Sequence, residues 1–258
     1  MADPTQLVAE IEALGARLGA AKASINQKFI GQDRVVDQVL AAMLCGGHAL
    51  LVGLPGLGKT LLVETLSTVM GLHGNRIQFT PDLMPADILG SEVLETAADG
   101  SRAFRFLQGP VFCQLLMADE INRASPRTQS ALLQAMQERE VTIAGQQRPL
   151  GRPFHVLATQ NPIEQEGTYP LPEAQLDRFM FNINLDYPSR DEEIEVVKNT
   201  TSNKKIELNH ILDGEDILFF QQLIRKIPIA DNVLSYAVEL ASKTRPNTKY
   251  AEDMVNKY

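Results

Sequence analysis

The sequence predicts an α/β protein in which a parallel sheet is flanked by helices and followed by a smaller helical unit. Short apolar runs without alternation, typical of strands buried on both faces, recur up to about residue 187. Segments with helical spacing separate these runs, and helical spacing alone continues beyond residue 188. A chain of 258 residues is long enough for one such core and a small second unit.

Two amphipathic helices come first, and a strand and a helix follow. One helical face carries Leu7, Ile11, Leu14, Leu18 and Ile25, and a second helix is predicted over 33–44. An apolar strand over 49–52 then leads through a glycine-rich loop into a helix that ends near residue 70. A short strand is expected over 76–80.

The middle of the chain predicts two hairpins, both attached to the sheet core. Residues 82–110 form an insertion with strands over 88–94 and 103–107, separated by a turn at 98–100. Ser125 and Pro126 supply an N-cap and a first-turn proline for a helix to about residue 137. A second hairpin is predicted over 141–150, and strands over 114–118, 154–158 and the end of 173–185 complete the sheet.

A change in composition marks a domain boundary near residue 188. Arg outnumbers Lys eleven to three before this point, and Lys outnumbers Arg seven to three after it. The prediction is an α/β domain over 1–187 and a partial helical lid over 188–258, with helices at about 190–200, 214–226 and 230–243. A chimera of two related parents would produce the same shift, so that alternative stays open.

Composition also limits the class of function. The net charge of −8 argues against a broad basic surface for duplex nucleic acid. Cys45 and Cys113 lie alone in apolar stretches, which predicts buried, inert thiols and neither a disulfide framework nor a metal site. The amino terminus lacks a basic segment followed by an apolar run, and no apolar stretch approaches about 20 residues, so a cytoplasmic protein without a membrane span is expected.

The strongest functional signal is the loop between the strand over 49–52 and the following helix. Its glycines allow backbone N–H groups to point at an anion, and the helix adds the positive end of its dipole. Lys59 is expected to reach the β- and γ-phosphates of a nucleotide, and the Thr60 hydroxyl to bind Mg²⁺. The predicted nucleotide-binding residues are Gly53, Leu54, Pro55, Gly56, Leu57, Gly58, Lys59, Thr60 and Leu61.

Polar side chains follow two further strands of the predicted sheet. Asp119 and Glu120 end the apolar run 115–118; we expect Asp119 to hold Mg²⁺ and Glu120 to orient the attacking water. Asn161 follows the strand over 154–158, where its amide would bind the γ-phosphate or that water. Arg178 follows a short helix and is expected to act on a neighbouring subunit's nucleotide, although a cation at a helix end can also simply stabilise the dipole.

Three long motifs, beginning at Gly53, Ala118 and Ala158, resemble those of the MoxR family of AAA+ ATPases. The resemblance covers about residues 29–258 and implies an AAA+ P-loop NTPase fold with ATP and Mg²⁺ as ligands. It makes Asn161 the sensor 1 residue and Arg178 the candidate arginine finger, and it places Phe29, Ile30, Gly31 and Gln32 against adenine. The two hairpins correspond to the family's helix 2 insert and pre-sensor 1 hairpin.

The resemblance also implies partners and one departure. An arginine finger that acts on the next subunit implies a homo-oligomeric ring, with a hexamer as the expectation. The family's roles imply remodelling or maturation of partner proteins, often with von Willebrand factor A domain proteins encoded alongside. Relatives carry a sensor 2 arginine in a Gly-Ala-x-Pro-Arg-like segment of the lid. Arg245-Pro246 does not match that segment, so the lid is expected to be truncated.

Three other functions stay open at this stage. A nucleic-acid motor would use similar hairpins, but the acidic balance and a pre-sensor hairpin with Arg148 as its one basic residue count against it. A nucleotide-gated scaffold with little turnover would fit the missing sensor 2. A GTPase is disfavoured because Asn203-Lys204 is not followed by the acidic residue that reads guanine.

Overall fold

A computed structural model describes residues 4–96, 101–164, 167–202 and 206–257. Its helices are α1 (Pro4–Lys28), α2 (Asp33–Leu44), α3 (Lys59–Val69), α4 (Pro85–Leu89), α5 (Pro126–Glu138), α6 (Glu173–Leu176), α7 (Arg190–Thr201), α8 (Gly214–Ile224) and α9 (Asp231–Lys243). Its strands are β1 (Ala49–Gly53), β2 (Gly74–Gln78), β3 (Gly90–Thr96), β4 (Arg102–Gln108), β5 (Leu115–Asp119), β6 (Glu140–Ile143), β7 (Gln146–Pro149), β8 (His155–Gln160) and β9 (Phe181–Leu185).

Five of these strands form one parallel sheet in the order β2-β5-β8-β1-β9, which confirms the predicted fold class. Strand β8 lies between β1 and β5, although the chain reaches it only after both. The central strands are almost completely buried because helices cover the sheet, as the unbroken apolar runs require. All five carboxyl ends therefore meet at one edge.

Helix packing against this sheet supplies most of the core. The apolar stripe of α5, with Leu132, Leu133 and Met136, is buried together with Leu116 and Val156 of the sheet. Burying one such side chain contributes about 1.5–3 kcal/mol. Ser125 caps α5 as predicted, since its Oγ accepts a hydrogen bond from the Thr128 N–H group.

The insertion before β5 differs from its prediction at one boundary. Residues 88 and 89, expected in a strand, belong to α4, and β3 begins only at Gly90. Pro85 fits the first turn of a helix, and the Asp87 carboxylate accepts the Met84 N–H group at 2.8 Å, so local capping outweighs the β-type pattern. Gly90, with φ of 96°, ends the helix. The predicted turn at 98–100 lies outside the described residues.

Both predicted hairpins are present, as antiparallel pairs β3/β4 and β6/β7. Arg148 of β7 joins them. Its guanidinium carbon lies 3.9 Å from the centroid of the Phe106 ring, and its Nη2 atom lies 3.4 Å from Glu92 Oε1. Because these contacts already engage the one basic side chain of the second hairpin, Arg148 is poorly placed to bind a nucleic-acid backbone.

The chain divides into two compact units, Met1–Gln222 and Leu223–Tyr258. Within the first, Arg17 of α1 forms a two-pronged ion pair with Asp216 of α8. In the second, α9 exposes apolar side chains on its surface, Leu234 and Tyr236 among them. The domain boundary near residue 188 stays a prediction.

The two cysteines differ in their surroundings. Cys113 is buried, and desolvation raises the pKa of its thiol to about 12, which confirms an inert thiol. Cys45 is exposed, so the prediction of a second buried thiol is wrong. It lies just past the carboxyl end of α2, where the helix runs into a turn. Within the described ranges, no helix combines the length and apolar character needed to cross a bilayer.

Two buried histidines tie the amino ends of β1 and β8 to their neighbours. His48 Nδ1 accepts the Val156 N–H group at 2.9 Å, so its proton resides on Nε2, which faces the Met136 carbonyl oxygen. His155 Nδ1 lies 2.9 Å from the Gly47 carbonyl oxygen and donates to it. Both rings are thus held neutral. Desolvation lowers the pKa of each to about 4.

We predict that the free energy of unfolding falls as the pH drops from 6.5 to 4. The unfolded chain binds protons on both histidines over this range while the folded protein does not, so stability rises with pH there. The loss is at most about 3 kcal/mol for each histidine. Urea denaturation at a series of pH values measures it.

The variant His48→Gln should roughly halve this pH dependence, and His73→Gln, at an exposed histidine, should leave it unchanged. The slope with pH is compared, so a uniform loss of stability in a variant does not affect the result. An equal slope in wild type and His48→Gln would contradict the prediction.

Candidate nucleotide-binding site

The loop between β1 and α3 has the backbone shape of a phosphate cradle. Gly56 and Gly58 adopt φ of 86° and 76°, in the left-handed region that favours glycine, and Gly58 is the N-cap of α3. At Gly53, an added Cβ would lie 2.9 Å from the Cβ of Leu185 on β9, so β1 needs glycine there. The N–H groups at the start of α3 face the loop, and the positive end of the helix dipole lies at the same place.

Lys59 begins α3 and reaches back along the loop. Its Nζ atom donates to the Gly53 carbonyl oxygen at 2.6 Å and lies 3.3 Å from that of Leu54. Desolvation lowers the pKa of the ammonium group, and the charges of Asp119 and Glu120 oppose this shift. Lys59 is therefore a half-buried cation between the loop and the carboxylates that follow β5.

Asp119, the last residue of β5, is buried with both carboxylate oxygens engaged. Arg76 Nη2 of β2 lies 2.6 Å from its Oδ2 atom, and the hydroxyl of Thr159 on β8 donates to its Oδ1 atom. The next residue, Glu120, has φ of 55°, and its N–H group donates to the Thr159 hydroxyl oxygen at 2.8 Å. These contacts fix the backbone at the end of β5, and the positive φ of Glu120 gives its side chain a different direction from that of Asp119.

The Glu120 carboxylate is held by side chains on both flanks. Gln78 Nε2 donates to its Oε2 atom at 2.8 Å, and Arg123 Nη1 lies 3.0 Å from the same atom. Arg123 also lies 3.5 Å from a carboxylate oxygen of Glu164. Through these contacts one guanidinium connects Glu120 with the loop that follows β8.

Asn161 lies in that loop, one residue after β8, and is largely buried. Its Oδ1 atom accepts the Ile163 N–H group at 3.2 Å, and its Nδ2 atom lies 3.4 Å from Glu164 Oε2. The structure therefore brings the cradle, Asp119, Glu120 and Asn161 to the same carboxyl edge of the sheet, as expected from the sequence.

The sequence analysis missed the side chains that fix these carboxylates in place. They are Arg76, Gln78, Arg123 and Thr159. Arg76 and Gln78 are two residues apart on β2, so their side chains lie on the same face of the sheet, next to β5. In the sequence, two polar residues spaced by two at the end of a short strand were the pattern that could have indicated these contacts.

An apolar cavity of about 450 Å³ adjoins the cradle. Phe29, Ile30, Gln32 and Leu61 line it, so the segment predicted to contact adenine borders this cavity, while the contact itself stays a prediction. Helix α7 contributes residues that the sequence analysis missed. Those residues are Val196, Asn199 and Thr200. Apolar walls with a few polar groups suit a purine base.

Gly31, beside this cavity, has a role in backbone packing. It lines a neighbouring polar cavity, and its φ is 79°. A Cβ at this position would lie 2.9 Å from the Cβ of Glu192 on α7 and 3.0 Å from that of Pro188. Glycine therefore allows the 29–32 segment to approach the start of α7 closely.

Arg178 occupies the opposite edge of the sheet. It precedes β9, lines a small cavity with His48, which precedes β1, and donates from Nη1 to the Leu133 carbonyl oxygen at 3.0 Å. The five residues of β1 separate this edge from the cradle by about 17 Å, at about 3.3 Å per residue. Arg178 is therefore remote from its own cradle.

The oxygen ligands at the carboxyl edge suit Mg²⁺. Within the described ranges, no three His, Cys, Asp or Glu side chains group in a way that could hold a metal ion. Mg²⁺ at nucleotide sites uses one or two carboxylates together with phosphates and waters, so such a cluster is not needed. The Thr60 hydroxyl beside the cradle and the Asp119 carboxylate are hard oxygen donors of the required kind.

Comparison with known proteins agrees with this fold. The model of the ATPase family associated with various cellular activities (AAA) matches residues 48–181. A crystal structure from Cytophaga hutchinsonii, described only provisionally as an ATPase, superposes with a TM-score of 0.82 at 42% identity, covering 92% of this chain and 72% of that one. Fold and site together define an ATPase of the AAA class.

Sequence relatives narrow the class to a family. The uncharacterised protein YeaC of Bacillus subtilis is 44% identical over 88% of this chain and 71% of its own length. Chaperone MoxR1 of Mycobacterium tuberculosis is 45% identical over 86% of this chain. The chain belongs to the MoxR family of AAA ATPases. It spans 58% of MoxR1 and 52% of the MoxR protein of Paracoccus denitrificans.

Proposed function

We propose that this protein is a Mg²⁺-dependent ATPase that works as an oligomer to remodel a partner protein. The observation that carries the ATPase proposal is the convergence of the cradle, Asp119, Glu120 and Asn161 at one sheet edge. The cradle follows β1, the two carboxylates lie at the end of β5, and Asn161 follows β8. The parallel register of β1, β8 and β5 aligns these three strand ends. A phosphate held by the loop would meet all three side chains.

The proposed roles follow from the chemistry of each group. The loop N–H groups and Lys59 hold the phosphates, and Thr60 and Asp119 hold Mg²⁺, which when bound neutralises negative charge on the β- and γ-phosphate oxygens. Glu120 orients the attacking water and accepts its proton. Asn161, a neutral donor, hydrogen-bonds the γ-phosphate oxygen or that water.

The apolar cavity beside the cradle supports a purine base as the third part of the ligand. Phe29 and Leu61 supply apolar walls at a position continuous with Gly58, which lines the same cavity. A base stacked there and phosphates in the loop would be joined through the ribose, which accounts for ATP as the ligand. The adenine contact of Gly31 stays a prediction; Gly31 lines the neighbouring polar cavity and allows the close approach to Glu192 and Pro188.

The first test separates ATP binding from hydrolysis. We expect Lys59→Ala to weaken ATP binding at least about 10-fold, because a charge-assisted contact to phosphate is lost. Glu120→Gln should keep ATP binding and lower kcat by roughly 10²- to 10⁴-fold, because an amide does not accept the water's proton. Phosphate release and the binding of a fluorescent ATP analogue measure the two properties.

Glu138→Gln, at an exposed glutamate of α5, is the matched control and should behave as wild type. Normal turnover by Glu120→Gln would rule out its assigned role. Failure of the wild-type protein to bind ATP would overturn the whole proposal.

The position of Arg178 supports a site completed by a neighbouring subunit. Its guanidinium lies at the amino edge of the sheet, a strand length from its own cradle, with one donor group bonded to the Leu133 carbonyl oxygen of α5. A neighbouring subunit that presents its carboxyl edge to this face would receive the arginine at its γ-phosphate. Repetition of such a head-to-tail contact generates a closed ring when the rotation between neighbouring subunits adds up to a full turn. Six subunits is the number expected from the family resemblance.

We therefore expect Arg178→Ala to keep ATP binding and lose most hydrolysis, and to regain it when mixed with Lys59→Ala subunits. The mixture restores activity because Lys59→Ala subunits offer an intact Arg178 to the intact cradles of the other variant. Steady-state phosphate release at several mixing ratios measures this recovery.

The control mixture replaces Lys59→Ala by the double variant Lys59→Ala/Arg178→Ala, which has no arginine to offer and should restore nothing. Absence of recovery in the test mixture would argue that Arg178 acts within its own subunit. Recovery in the control mixture would show that the gain in activity does not come from a donated arginine.

Two observations support a protein partner. The relative MoxR1 is named a chaperone, and Arg148, the basic residue that would serve a nucleic-acid motor, is bound to Phe106 and Glu92. A partner carrying a von Willebrand factor A domain remains the family-based expectation, and a cytoplasmic location remains a prediction of the sequence.

Glu120→Gln also provides the test of remodelling. ATP should hold this variant on its partner because the cycle stops before hydrolysis, so partner recovery should rise at least several-fold over wild type. Lys59→Ala, which enters no ATP state, is the control. Quantitative co-purification with and without ATP measures the effect, and DNA-stimulated, salt-sensitive turnover without an ATP-dependent protein complex would favour the motor instead.

A further inference from the structure

Thr159, a fully buried residue of β8, lies between the two carboxylates that follow β5. We propose that Thr159 is a positioning residue whose single hydroxyl group fixes Asp119 relative to Glu120. The inference rests on the proposed ATPase function, since it assigns a role within the same site. Its subject is a side chain that would touch neither nucleotide nor metal.

The chemistry of the groups alone determines which of them donates in each of the two hydrogen bonds. The Glu120 N–H group can only donate, so the Thr159 oxygen accepts at 2.8 Å. The hydroxyl proton is then free to donate to one acceptor, and the Asp119 Oδ1 atom is within reach. One oxygen thus connects the backbone of the water-orienting residue to the carboxylate of the proposed Mg²⁺ ligand.

The sheet register explains why a side chain is used here. The β5/β8 pairing runs from Leu115 opposite His155 to Ala118 opposite Ala158. One position further, Thr159 would face Asp119, and Glu120 turns away with φ of 55°, where a residue with a Cβ is disfavoured. At this point the Thr159 hydroxyl oxygen, in place of a backbone carbonyl oxygen of β8, accepts the Glu120 N–H group and stabilises the turn.

The arrangement around Asp119 predicts what loss of the hydroxyl would do. Arg76 holds Oδ2 at 2.6 Å, and Thr159 holds Oδ1. Without the hydroxyl, Oδ1 loses this donor while Arg76 still holds Oδ2, and the carboxylate can turn toward the guanidinium. The partly buried Glu120 N–H group would also lose its acceptor, which releases the turn that orients the Glu120 side chain.

Substitutions can separate the hydroxyl from the volume of the side chain. Thr159→Val keeps the shape and removes the hydroxyl, whereas Thr159→Ser keeps the hydroxyl and removes a methyl group. Thr65→Val is the matched control, because Thr65 of α3 is equally buried and its hydroxyl has no hydrogen-bond partner within the described ranges. Only the Thr159 hydroxyl is bonded to Asp119 and Glu120.

We expect Thr159→Val to lower kcat about 10- to 100-fold and to change KM less. Its binding of a fluorescent ATP analogue without Mg²⁺ should stay within about twofold of wild type, while the tightening caused by added Mg²⁺ should shrink several-fold. Thr159→Ser should recover kcat to within about threefold of wild type, and Thr65→Val should match wild type in all three measurements. If Thr159→Val does not fold, Thr159→Ala, which adds no new bulk, provides the same comparison.

Two results would overturn the inference while leaving the ATPase proposal intact. In a wild-type protein that hydrolyses ATP, Thr159→Val with unchanged kcat and unchanged Mg²⁺ response would show that the hydroxyl is not needed. Equal losses in Thr159→Ser and Thr159→Val would show that packing, not hydrogen bonding, is responsible. A wild-type protein that binds no ATP would instead refute the proposed function, and the inference with it.

Discussion

The parallel pairing of β1 with β8 and of β8 with β5 is the constraint on which the site depends. It places the ends of three strands at one edge, so a phosphate loop, a carboxylate pair and an amide meet although up to about 100 residues separate them. The buried faces of these strands make the register costly to change, because a slip by one residue would turn apolar side chains away from the core. Stability of the sheet and geometry of the site therefore have the same origin.

Charge at this edge is balanced within the protein. Two adjacent carboxylates repel each other and a phosphate, and the structure surrounds them with donors that come from other elements: Arg76, Gln78, Arg123 and Thr159. Lys59 adds a half-buried cation on the loop side, with both carboxylates contributing to the balance that sets its pKa. A ligand that brings phosphates and a divalent cation would enter a region whose side chains are already held in position.

The same parallel arrangement gives the sheet two chemically distinct edges. The cradle and the carboxylates lie at one edge, and His48, before β1, and Arg178, before β9, lie at the other. The proposed head-to-tail assembly would bring these two edges of neighbouring subunits together. The buried, neutral His48 and His155 maintain the amino edge without adding charge to it.

The sequence by itself determined the order of helices and strands apart from α4, the cradle, and the residues that end β5 and follow β8. These features depend on local periodicity, on glycines with required backbone angles, and on polar residues placed directly after apolar runs. Local pattern failed at residues 88 and 89, where capping by Asp87 favoured a helix, and at Cys45, which is exposed. Only the tertiary structure decided the surroundings of Asp119 and Glu120, since Arg76, Gln78 and Thr159 lie 39 to 43 residues away in sequence and become neighbours through strand pairing.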